Sequence, residues 1–165
     1  MAERIVDLVI ERGFNDRPAN PCVTATKILN GSDFASSSDV RNYIDNLALR
    51  LRPVQGEYFS DYLVHTYGRQ TETVLDLLDH TEGEDFSIRL AVAELRFCLE
   101  HEMVLSALDF FNRRTAMLFF DMPRLQHVKN DILRELKIQL GWSDERLFQE
   151  QEKLEQAIRE ARIYP

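Results

Sequence analysis

At 165 residues the chain is long enough for one domain with a real core. Its 44% hydrophobic and 29% charged content is that of a globular protein, not a disordered one. With 28 acidic residues against 20 basic ones the formal charge is -8, which disfavours a nucleic-acid binder, because such proteins carry a net basic face. No apolar run approaches the length of about 18 residues that spans a bilayer. The N-terminus lacks the basic and apolar regions of a signal peptide. Cys22 and Cys98 are far apart and outside any CxxC pattern, which fits a reducing compartment and incidental thiols.

In chain order, Ala2 to Arg12 predicts a helix. Ile5, Leu8 and Val9 fall at helical spacing, and Gly13 is a natural stop. Phe14 to Phe34 reads as a loop-like connector, with Pro18, Pro21 and Gly31; within it Cys22 to Leu29 has the composition to run extended. Ser36-Ser37-Ser38-Asp39 predicts a capped helix start, the helix reaching about Arg52 and stopped by Pro53, with Tyr43, Ile44, Leu47 and Leu51 inward. Glu57 to Tyr67 predicts a second helix ended by Gly68, and Thr71 to Leu78 a third, with Val74, Leu75 and Leu78 inward. Thr81 to Asp85 is a polar turn. After the central stretch, Pro123 opens a long helix carrying Leu125, Val128, Ile132, Leu136 and Leu140, closed by Gly141. Ser143-Asp144-Glu145 caps a last helix to about Arg162, whose narrow stripe Leu147, Gln151, Leu154, Ile158 suits a surface groove. The fold predicted is all-α, an irregular bundle of about six or seven helices.

The densest mixture of apolar, aromatic and ionisable residues is Ala93 to Asp121, expected as two helices broken near Leu105 and Ser106. Val92, Leu95, Leu99 and Met103 form an apolar stripe, so Leu95, Leu99 and Leu108 are expected in the core. Glu102 lies beside that stripe, and an acid there needs a cation. Asp109 and Arg113 are four apart in the favourable acid-first order, which leaves Arg114 free to reach Glu102 or Glu94. The expectation is that at least one of Arg113 and Arg114 is buried against an acid of the Glu94 to Glu102 helix and locks two helices together. The plainer reading of these five residues is a structural ion-pair network; the functional ones are a direct catalytic role or, for one of the arginines, a contact with another domain. Phe110, Phe111, Phe119 and Phe120 read as core, with exposure through a lost interface as the alternative.

No catalytic, cofactor-binding or metal-ligating residue is assigned. None of the six glycines falls in a GxGxxG or GxxxxGK pattern. His101-Glu102 begins like HExxH, but Leu105 stands where the second histidine is required, and His65, His80 and His127 are scattered. Cys98 sits among apolar neighbours as an inert thiol, and Ser106 has no GxSxG context.

The stretch also carries a resemblance. AEL at Ala93, HEM at His101, DFFNRRT at Asp109 and LFFD at Leu118, with TYG at Thr66 and GEDF at Gly83 upstream, resemble the C-terminal domain of FAD-dependent glycerol-3-phosphate dehydrogenases and alpha-glycerophosphate oxidases. MAERIVDLVI is similar to the last helix of that family's FAD domain. The resemblance implies three parts: residues 1–13 as the tail of a missing FAD domain, 14–35 as a connector, and 36–165 as the helical C-terminal domain. It implies a parent that oxidises sn-glycerol 3-phosphate to dihydroxyacetone phosphate through FAD, with quinone or oxygen as acceptor. FAD and the catalytic residues would sit in the absent domain, so the chain alone is expected to be inactive and to hold no metal. The implied partner is that FAD domain, and the implied setting is cytoplasmic, peripheral contact with the inner membrane face being open. The competing reading is an autonomous helical interaction module with no enzymatic parent.

Overall fold

The computed structural model describes residues 2–14, 16, 21–51 and 56–163, with the side chains of 56 and 57 left aside. Pro18 in the connector and the stop assigned to Arg52 and Pro53 lie outside the described residues. Among those residues there are eight α-helices and no strand: α1 (Ala2–Gly13), α2 (Ser37–Arg50), α3 (Gly56–Tyr67), α4 (Thr71–Asp79), α5 (Phe86–His101), α6 (Met117–Phe120), α7 (Met122–Leu140) and α8 (Asp144–Ala161). The all-α expectation holds. The count is eight rather than six or seven, and a π-helical segment at Asp109–Arg114 lies between α5 and α6 in the central stretch.

Local chemistry sets most boundaries. The side chains of Ser36, Asp85, Asp121 and Ser143 each accept a backbone N–H three residues on, capping α2, α5, α7 and α8. Pro123 occupies the first turn of α7, and Gly141 ends it in the left-handed region. At Gly68, also left-handed, an added Cβ would lie 2.1 Å from the Gly31 carbonyl oxygen, which accepts the Arg69 N–H at 2.9 Å. That close approach seats the connector on the end of α3. The connector does not run extended. Thr26 and Lys27 both donate to the Val23 carbonyl, which closes a turn inside the Cys22 to Leu29 stretch.

Helix α5 is the centre of the bundle. It is buried almost all round, from Leu90 to Leu95 and at Phe97 and Cys98, and packs against α4 and α7. A one-sided stripe therefore describes it poorly. Leu95 is fully buried, but Leu99 and Leu108 are only half-buried. Met103 is 83% exposed because the helix stops at His101, before the stripe is complete. On α8 the inward positions are Glu150, Leu154 and Ile158; Gln151 points to solvent, and Leu147 is half-buried. The four phenylalanines split: Phe110 and Phe111 are buried edge to face, 5.3 Å between centroids, whereas Phe119 and Phe120 are exposed. The apolar face of α1 is open, and no residue of that helix is buried.

Denaturant titration should separate the two leucines of α5. Leu95→Ala is expected to cost roughly 2–5 kcal/mol and the half-buried Leu99→Ala clearly less. Equal losses would mean that the helix has been turned on its axis.

Candidate functional site

The five residues singled out in the sequence occupy two places. Asp109 caps its own segment. It accepts from the Ser106 hydroxyl at 2.8 Å and the Leu105 N–H at 3.2 Å, and pairs with Arg113 one turn on. Burial pushes its carboxyl up, but those donors and the Arg113 charge outweigh it, so Asp109 ionises below its usual range. Arg114 reaches back to the end of α5. It donates to the Glu102 carbonyl oxygen at 2.5 Å and stands 3.5 Å from the Glu102 carboxylate. A cation on a helix C-terminus is favourable, since it meets the unpaired carbonyls there. Neither arginine is buried: the Arg113 side chain is 75% exposed and that of Arg114 40%. The buried lock expected of this doublet is therefore not theirs.

The lock belongs to Glu94 and Arg124. Glu94 is wholly buried, and its Oε2 accepts from Arg124 Nη2 at 2.6 Å. Its Oε1 accepts from the Tyr62 hydroxyl at 2.6 Å and the Tyr67 hydroxyl at 3.0 Å. The guanidinium lies over the rings of Phe59 and Tyr62. Three helices, α3, α5 and α7, meet in this cluster. Burial, then the Glu94 charge, hold both tyrosine hydroxyls well above their usual range. Burial alone would lower the Arg124 ionisation; the Glu94 carboxylate reverses that and raises it. The two tyrosines thus keep their protons and Arg124 its charge through neutrality, as structural groups do.

Arg124, Tyr62, Tyr67 and Glu150 were not picked out in the sequence. A signal for Arg124 was present: it stands four residues before Val128 and so shares the inward face of α7. Glu150, also buried, accepts the Ala107 N–H at 3.2 Å and meets Arg146 and Lys153, tying α8 to the turn before the π-helical segment. Cys98 is enclosed, and burial, then Glu102, push its thiol up.

The described residues do not suit a flavin dinucleotide. Its usual cradle is a glycine turn between a strand and a helix. Here no described residue is in a strand, and the left-handed glycines Gly31, Gly68, Gly83 and Gly141 lie in turns between helices or at helix ends. Among these residues, no group of three or more His, Cys, Asp or Glu side chains is placed to hold a metal ion.

Residues 22–147 match the family model described as the C-terminal domain of alpha-glycerophosphate oxidase. The chain belongs to this family. Aerobic glycerol-3-phosphate dehydrogenase of Bacillus subtilis (strain 168) is 26% identical over 171 residues, the match covering 98% of this chain and 30% of that protein. The enzyme of the same name from Staphylococcus aureus (strain bovine RF122 / ET3-1) is 26% identical over 168 residues, with the same coverage. A crystal structure of glycerol-3-phosphate dehydrogenase from Bacillus halodurans, complexed with FAD, superposes with a TM-score of 0.80 at 28% identity, over 96% of this chain and 32% of that one. The chain spans about 30% of the length of the curated relatives it matches. In this chain the Glu94–Arg124 cluster ties three helices together inside the fold, and the Glu102–Arg114 contact lies at the surface.

Two measurements check the assignments. Arg124→Ala leaves the Glu94 charge buried without its cation and should cost roughly 3–5 kcal/mol. Arg114→Ala should cost roughly 0–1 kcal/mol, as a solvated pair does. Asp109 has a lowered folded pKa, so its contribution is present above the ordinary carboxylate range and is lost as pH falls through the folded value. Asp109→Asn should therefore flatten the loss of stability below about pH 4, measured by melting across an acid series.

Proposed function

We propose that this chain acts as the helical C-terminal domain of an FAD-dependent glycerol-3-phosphate dehydrogenase, an enzyme that oxidises sn-glycerol 3-phosphate to dihydroxyacetone phosphate. The observation that carries the reading is the superposition of nearly the whole chain on about a third of a dehydrogenase complexed with FAD. The names of the Bacillus and Staphylococcus relatives favour a dehydrogenase over an oxidase. In this reading residues 1–13 close the flavin domain, 14–35 cross between domains, and 36–165 form the helical domain. Flavin and the reacting groups belong to the other domain, and the role of this one is positional.

The open apolar face of α1 supports that division, since among the described residues Ile5, Leu8 and Val9 stay exposed. Asp109, Arg113 and Arg114 are then interdomain or structural residues, not catalytic ones. No described helix is long and apolar enough to cross a membrane. A cytoplasmic setting with peripheral membrane contact of the whole enzyme is part of the proposal.

The purified chain mixed with FAD should lose the yellow chromophore on gel filtration. A polypeptide that also carries the flavin domain should retain it and turn over glycerol 3-phosphate. Stoichiometric flavin on the chain alone, or a longer polypeptide without flavin, would reject the reading; the latter would favour an autonomous interaction module.

A further inference from the structure

The residue after Glu102 breaks a local rule. Met103 has φ +57°, the left-handed region where a helix ending of this kind favours glycine. The turn is tightly held: the Glu102 and Val104 N–H groups both donate to the Cys98 carbonyl, at 3.0 and 3.4 Å, and Arg114 clamps the Glu102 carbonyl. The methionine side chain itself, 83% exposed, adds little to that hold. Its position gives the strain a use. On one side, through Glu102, lies a cleft of about 690 Å³ whose far wall is the connector from Leu29 to Phe34. On the other side a cleft of about 580 Å³ is lined by Leu99, Leu105 and Leu140. Met103 lines the smaller hollow and the adjacent Glu102 the larger, which makes the exposed methionine a crest beside both.

We infer that this crest and its flanking clefts are the seat of the flavin-binding domain, an assignment that rests on the function proposed above. Three observations select that occupant. The wall of the larger cleft is the connector itself, and the chain before it carries the uncovered apolar face of α1. The solved dehydrogenase has about two-thirds of its chain beyond the part matched here. A second copy of this chain, or an anionic bilayer, would meet a formal charge of -8 with Glu100 and Glu102 at the rim.

Hydrogen exchange on the chain alone and on the full-length flavoprotein tests the seat. Peptides spanning 29–37 and 101–106 should be protected in the flavoprotein and open in the chain alone. Met103→Asp should raise their exchange in the flavoprotein by about tenfold or more, as loss of an interface anchor does. In the chain alone Met103→Gly should melt no lower than the parent, which shows that methionine at this position does not serve the domain's own fold. Flavin retained with both peptides unprotected, or with Met103→Asp silent, sinks the seat and leaves the functional reading standing. A full-length protein without flavin sinks both. A dimer of the chain alone that Met103→Asp dissociates would give the crest to a second copy and overturn the assignment.

Discussion

The bundle depends on one carboxylate placed where water cannot reach it. Glu94 lies in the middle of α5, the helix buried almost all round, and its solvation has been replaced by three donors from two other helices. A buried ion pair contributes little net stability over a well-packed apolar substitute, yet is costly when one partner is missing. Its consequence is directional. Tyr62 and Tyr67 fix the rotation of α3, and Arg124 fixes that of α7, because a slip of either helix would strand a charge or a hydroxyl in the core. Arg124 Nε is buried with no hydrogen-bond partner, and the nearby Phe59 and Tyr62 rings give the guanidinium its remaining contact. Apolar packing could fill the same volume with several helix rotations. The four polar groups accept one.

Glu150 repeats the device at lower cost. Its carboxylate is buried, but Arg146 and Lys153 meet it from its own helix and keep their heads toward water. What it holds is the backbone N–H of Ala107, just before the segment that winds as a π-helix. A π-turn has one residue more per ring than an α-turn, so its N-terminal donors need outside partners. Glu150 accepts the Ala107 N–H, the Ser106 hydroxyl oxygen accepts the Asp109 N–H, and the Asp109 carboxylate accepts the Leu105 N–H. Within that segment the adjacent Phe110 and Phe111 are both buried.

Much of this was legible in the sequence and some was not, for physical reasons. Caps, glycine stops and Pro123 are local codes, and α2, α3, α7 and α8 begin or end close to where those codes put them. The family resemblance was legible because short motifs kept their order over most of the chain. The acid at the centre was misplaced. Glu102 looks buried only if α5 runs on past His101, and the helix stops there with Met103 in the left-handed region, an ending for which the sequence offers no glycine. Glu94 was named among the acids, but its cation lies thirty residues on, at Arg124. Pairing at that distance is decided by how helices cross, and periodicity cannot see a crossing. The π-helical segment was invisible for a related reason: its N-terminal partner, Glu150, comes from the far end of the chain.

The two kinds of polar site then divide the domain's work. Where charges are buried, every donor but one is matched and the bundle accepts one helix arrangement, so the domain can act as a rigid body. Where charges are exposed, around Glu102, Arg113 and Arg114, the backbone departs from its preferences instead: Met103 and Ala116 both have positive φ, and the π-helical segment lies between them. Strain of this kind persists only when the surroundings over-determine it. The rigid core supplies that condition. Arg114 fastens the strained loop to α5, and α5 is fixed by Glu94. The internal tie is therefore what allows an apolar residue to stand in solvent with a defined shape, and a defined shape is what the positional role proposed above requires.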